Sequence, residues 1–245
     1  MTVALECVGL SAGYAGVPVV RELDLVVEEG KIVALLGPNG AGKTTTLLAF
    51  SGMVAVLEGK ALVYGEPVRA RRPHLAARRG LAHVPDNRAL FFGLTGHENL
   101  RLGFRGRNAA GAVQRALEFF PQLEPALGRR AGLMSGGEQQ MLALARALVG
   151  QPKALMVDEL SLGLAPIIVE ALLPTIRRVA DELGTAVLLV EQHVDLALSV
   201  ADTAYVLNHG DLIMSGPASE LSVRRDLLEA SYLGETVYDH LEAAS

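Results

Sequence analysis

Short apolar runs alternate with helix-spaced stretches along this chain, and turn residues separate them. Residues 32–36 (Ile-Val-Ala-Leu-Leu), 154–157 (Ala-Leu-Met-Val) and 185–190 carry no charge. Runs this short and this apolar predict strands buried on both faces. Further strands are expected at 3–8, 23–27, 61–64, 81–85, 204–207 and 212–215, each bounded by turn residues. Helical spacing begins just after Lys43 and returns at 97–103 and 109–120, with a loop at 105–108 between them. Met141, Leu144, Ala145 and Leu148 then form one helical stripe. An amphipathic helix over 167–183 can cross a sheet, and a last helical stretch runs from about 219 to 233. No strand is expected between about 87 and 150. That section reads as a helical lobe set between strands.

Composition narrows the classes. With 245 residues, 50% hydrophobic and 20% charged, the chain can bury a full core. A net charge of −5 makes no electrostatic case for nucleic acid. Residues 69–79 hold Arg69, Arg71, Arg72, His74, Arg78 and Arg79. Such a run grips phosphates or forms a solvated face, and an acidic protein favours the second. The single cysteine, Cys7, reads as a small buried hydrophobe and suggests a reducing compartment. No apolar run reaches the roughly 18 residues of a spanning helix, and no signal peptide is expected. Any work at a membrane would need other chains to provide the membrane part.

Candidate chemistry gathers where strands end. Gly37, Pro38, Asn39, Gly40, Ala41, Gly42, Lys43 and Thr44 match G-x-x-x-x-G-K-[ST] between a strand and a helix. Backbone N–H groups of such a loop form an anion nest at a helix N-terminus. Lys43 can reach β- and γ-phosphates, and the Thr44 hydroxyl can ligate Mg²⁺. Asp158 and Glu159 follow the apolar run at 154–157, at the strand end where ligands bind in open α/β sheets. Asp158 is placed to hold Mg²⁺, and Glu159 to polarise water for attack on a γ-phosphate. Ser135 and Glu138 form a capping box, S-x-x-E, and the adjacent Gly136 and Gly137 leave N–H groups for a phosphate. Tyr14, flanked by glycines, stacks on a base or is simply half buried.

Taken in order, these segments resemble the ATP-binding cassette (ABC) family of transporter ATPases over nearly the whole chain. The order runs A-loop at Tyr14, Walker A, Q-loop near Asp86, signature at 135–139, Walker B, D-loop and switch region. The likeness is strongest to the ATPase subunits of branched-chain amino-acid importers. Ser161-Leu162-Gly163-Leu164-Ala165-Pro166, Val190-Glu191-Gln192 and Tyr232-Leu233-Gly234-Glu235 carry it. The resemblance implies an α/β fold: a P-loop NTPase (RecA-like) core, an antiparallel β subdomain and an inserted α-helical lobe at about 87–150. It further implies one nucleotide-binding domain over 1–245 that binds ATP and Mg²⁺. Two cassettes, identical or homologous, would meet head to tail around two ATPs. Tyr14 would stack the adenine, and the loop through Thr45 would cradle the phosphates. Lys43 and Glu159 would act in catalysis, with Asp158, Thr44 and Asp86 toward the metal. Ser135, Gly136, Gly137 and Gln139 would contact the γ-phosphate on the other chain. Transmembrane permeases and, indirectly, a substrate-binding protein complete the implied assembly, on the cytoplasmic face of the inner or plasma membrane. No nucleic acid is expected.

Three positions depart from the family pattern. Asp86 stands where the Q-loop glutamine usually does, and Leu160 follows Glu159 in place of proline. Ungapped alignment puts Gln192 at the switch position, with His193 one place late. Strand alternation lets only one of the two face the nucleotide, and Gln192 is the expected one, with His193 turned away under the next helix. Alternative readings are a urea or amide importer and a soluble ABC protein acting on nucleic acid or ribosomes.

Overall fold

The computed structural model describes residues 2–104 and 108–224. Its centre is a sheet in the order β10-β9-β3-β8-β7-β6. The strands are β3 (Ile32–Leu36), β6 (Leu81–Val84), β7 (Ala154–Asp158), β8 (Ala186–Glu191), β9 (Thr203–Asn208) and β10 (Asp211–Pro217). All pairings are parallel except β9 with β10, which form an antiparallel hairpin. Every residue of β3, β7 and β8 is buried, as their uncharged runs predict. Alternation then divides each strand between two cores. Ile32, Ala34 and Leu36 join the core under the helices. Val33 and Leu35 join the core beneath a second sheet.

That second sheet is antiparallel, in the order β2-β1-β4-β5. It comprises β1 (Val3–Tyr14), β2 (Val17–Glu28), β4 (Ala55–Val63) and β5 (Glu66–Pro67). β1, β2 and β4 all run longer than their sequence suggests. Bulges shift the β1–β2 register repeatedly, and the Asp24 carboxylate accepts the Gly9 N–H at 2.7 Å. Such interruptions break the period-2 pattern that would reveal the full length.

Helices from the middle and later chain fill the other face, whereas the first two helices put Leu47, Phe50 and Ala76 into the core beneath the second sheet. α1 (Lys43–Phe50) follows β3, and the short α2 (Pro73–Arg78) precedes β6 within the basic run, most of it exposed. α3 (Gly96–Leu102), α4 (Ala109–Phe119) and α5 (Gly136–Val149) lie between the neighbouring strands β6 and β7. α6 (Pro166–Leu183) is the crossover between β7 and β8. α7 (Val194–Leu198) follows β8, and α8 (Ala218–Leu221) ends the described chain. The expected terminal helix to 233 and the Tyr232–Glu235 motif fall largely or wholly outside the described residues. Cys7 is 1% exposed, and burial pushes its thiol up to about 12. No helix among the described residues is long and apolar enough to cross a membrane.

Candidate functional site

The loop after β3 is shaped by what surrounds it. Gly37 has φ 150°, and a Cβ there would lie 2.2 Å from the Leu207 carbonyl oxygen. Gly42 has φ 104°, and its Cβ would meet Val20 at 2.7 Å. Both positions exclude any side chain. The loop wraps the Lys43 ammonium, which is 4% exposed and donates to the carbonyls of Gly37 at 2.8 Å and Pro38 at 3.0 Å. Burial lowers its pKa, while Glu159, Asp158 and Glu191 pull it upward. A cavity of about 130 Å³ opens here, lined by Asn39, Gly40, Lys43, Thr44, Thr45 and Glu159, among others. Glu159 thus joins the loop from the end of a strand two places away in the sheet.

Asp158 ends β7 at 1% exposure, and neither carboxylate oxygen has a hydrogen-bond partner. Burial pushes its pKa up to about 6; the nearby Thr44 hydroxyl and Lys43 oppose the rise, and Glu159 and Asp86 add to it. An orphaned buried carboxylate is costly unless something cationic meets it. Glu159 itself sits at φ 49°, a left-handed conformation rare outside glycine. Its N–H donates to Val190 O at 2.9 Å, and its Oε1 accepts from Gln192 Nε2 at 2.7 Å.

The strand therefore resolves the choice at 192 and 193 differently from simple alternation. β8 stops at Glu191, before either residue. Gln192 turns to Glu159, and His193 begins α7 as its exposed N-cap residue. His193 is exposed and is not packed under the helix as expected. Glu191, given no role by its sequence, is 1% exposed. Its carboxylate accepts from Ser161 N at 2.9 Å and Ser161 Oγ at 2.7 Å. A charged residue closing an otherwise apolar strand was the available signal.

The remaining residues lie apart from the cavity. Tyr14 is 52% exposed at the end of β1, opposite Val17; Val19 of the same hairpin lines the cavity, but Tyr14 does not. Asp86 is exposed, with Oδ1 accepting its neighbour's N–H from Asn87 at 2.7 Å. Ser135 caps α5: its hydroxyl accepts from Glu138 N at 3.3 Å, and Glu138 accepts from Ser135 N at 2.8 Å. Glu138 is also ion-paired to Arg129, and its pKa is lowered chiefly by the Ser135 N–H. Gly136 and Gly137 pack against Leu164 and Ile168. None of the three lines the cavity of the phosphate loop.

Gln139 is tied into its own chain. Its amide nitrogen donates to the carbonyls of Ala131 at 3.0 Å and Met134 at 3.2 Å, and its oxygen accepts from Arg88 at 3.0 Å. All three bonds engage the side chain within its own chain. The helical stripe predicted the helix but gave no direction for this amide.

Comparison with known proteins bears on the whole arrangement. A family model described as ABC transporter matches residues 20–161. The high-affinity branched-chain amino acid transport ATP-binding protein BraG of Pseudomonas aeruginosa is 39% identical over 228 residues, covering 92% of this chain and 97% of that protein. The lipopolysaccharide export system ATP-binding protein LptB of Escherichia coli is 33% identical over 239 residues, covering 94% and 97%. A solved ATP-binding subunit of an ABC transporter superposes with a TM-score of 0.80 at 28% identity, covering 95% of this chain and 99% of that one.

Proposed function

The chain belongs to the ABC transporter family and is one of its ATP-binding ATPases, and from that premise we propose that it drives an importer of branched-chain amino acids. The likeness to BraG over nearly the full length of both chains supports the substrate class. LptB, somewhat less similar, favours the competing reading of an exporter. The functional unit is one cassette with its helical lobe at about 87–150.

The observation that carries hydrolysis is the 2.7 Å bond from Gln192 to Glu159 at the rim of the loop around Lys43. Asn39, Gly40, Ala41, Gly42 and Thr45 cradle the phosphates with backbone N–H groups, and Gly37 and Pro38, which has no N–H to give, shape the loop. Lys43 exchanges its two carbonyl partners for phosphate oxygens, a charge-assisted gain. Thr44 and Asp158 are the residues that would hold Mg²⁺, and the orphaned oxygens of Asp158 fit a cation. Among the described residues no group of three or more His, Cys, Asp or Glu could hold a metal, which suits an ion shared with substrate phosphates. When bound, the ion neutralises charge developing on the β- and γ-phosphates. Asp86 acts toward it through water. Glu159 takes the proton of the attacking water, and Gln192 holds the Glu159 carboxylate in place without adding charge. Tyr14 stacks the base.

Ser135, Gly136 and Gly137 are read as serving nucleotide on a second cassette, because they stand clear of their own phosphate loop. ATP then favours the closed pair by binding it better. A cavity of about 440 Å³, lined by Phe91, Leu102, Phe104 and Arg146 among others, is the proposed seat of a membrane permease. The assembly places this chain on the cytoplasmic face.

Glu159→Gln is the test. It should keep MgATP binding, lose hydrolysis by about 10²–10⁴-fold, the scale of a lost general base, and accumulate an ATP-dependent dimer. Light scattering that shows only monomer at saturating MgATP would exclude pairing of this chain with itself. Proteoliposomes with the co-purifying permeases and substrate-binding protein should take up labelled leucine, and their failure to do so would reject the substrate class.

A further inference from the structure

The segment after β6 is strained and held in place by α5. Arg88 and Ala89 have φ 61° and 47°, consecutive left-handed residues without a glycine. Such conformations are costly and persist only where surroundings over-determine them. Here the Asn87 side chain accepts the Ala89 N–H at 3.0 Å. Arg146, from the second half of α5, donates to Ala89 O at 2.9 Å and Arg88 O at 3.3 Å.

What this strain achieves is the direction of one guanidinium. Arg88 Nε donates to Gln140 Oε1 at 2.9 Å and Nη1 to Gln139 Oε1 at 3.0 Å, both in the first turns of α5. Nη2 donates to Leu162 O at 3.3 Å, in the loop after β7. Leu162 follows Ser161, which is fastened to Glu191 beside Gln192. Three segments distant in sequence therefore meet on one side chain.

We propose that Arg88 is a positioning residue that locks the N-terminus of α5 and the 161–165 loop into one unit aimed at the nucleotide of a second cassette. The inference rests on the two-cassette reading above. A helix end that must meet a phosphate on another molecule needs its direction fixed within its own chain, to about half an ångström. Arginine suits the task because its planar fork serves separate acceptors at once; lysine, a point charge, does not replace it.

The test uses the full chain carrying Glu159→Gln as parent, with Arg88→Lys and, separately, Gln140→Leu. Arg88→Lys should leave MgATP affinity of the dilute monomer within threefold of the parent, because the phosphate loop is untouched. The ATP concentration for half-maximal dimer should rise at least tenfold, and Gln140→Leu should move it the same way by less. In the Glu159 background, Arg88→Lys should lower kcat more than it raises KM. Dimerisation by Arg88→Lys at the parent's ATP concentration overturns the proposal, as does equal loss of monomer affinity. A parent that stays monomeric excludes pairing of this chain with itself and overturns this inference for that pair. Should Arg88→Lys fail to fold, an unshifted Gln140→Leu dimer overturns the proposal instead.

Discussion

The loop after β3 and the loop before α5 each lead into a helix, yet they are finished in opposite ways. The first loop is closed around Lys43 at 4% exposure and faces Asp158 at 1%. Its walls come from β3, β7 and the tip of β2, so the chain completes that site alone. The α5 end is completed only on its inner side, by its own capping box and by Arg88. Outward of it stand Leu133 and Ile167, each 72% exposed. Large apolar side chains left open beside a capped helix end suit a surface that another molecule covers. On the proposed function, one region holds a ligand and the other meets one already held.

Lys43→Ala should separate the two regions most sharply. Losing hydrogen bonds from a charged group costs about 1.5–3 kcal/mol, so calorimetry should find MgATP binding weakened roughly 10- to 100-fold. Ser135→Ala should leave the same single-chain affinity unchanged. Comparable losses in both variants would erase the distinction.

A finer cut lies within the strand-end site. Gln192→Ala should reduce steady-state ATPase at least tenfold, about 1.4 kcal/mol on the barrier, because Glu159 loses its 2.7 Å anchor. His193→Ala, at an exposed helix start, should stay within about threefold. The reverse ranking would make His193 the working residue. The smallest effect belongs to the α5 end: Ser135→Ala removes a cap worth about 1 kcal/mol, which for a domain this size lowers Tm by roughly 2–4 °C. An unchanged melting curve would mean the cap holds nothing.

The same contrast governs what could be read before folding. β3 falls at 32–36 as expected, and β7 and β8 lie within a residue or so of expectation, because uninterrupted burial writes itself as an uninterrupted apolar run. The carboxylates after β7 and the capping box at Ser135 were legible for the same local reason. β1 and β2 were not legible in full, since bulges and a half-exposed face scramble the alternation. Arg88 and Glu191 were invisible because their partners lie 30 to 74 residues away. Gln139 took its expected role from the family likeness, which says nothing about the partners its amide finds within its own chain.

The strand order also dictates when the phosphate loop can exist. β1, β2, β4 and β5 find all their partners within the first 67 residues, so the antiparallel sheet can assemble from the beginning of the chain alone. β3 cannot. Its two neighbours, β8 and β9, span residues 186–208, and Gly37 takes its shape against Leu207. During synthesis the phosphate loop emerges well before β8 and β9, and it waits for them before anything holds it. Pairings that distant are closed late and slowly. A nascent chain arrested short of β9 would carry the whole nucleotide motif and lack the pocket.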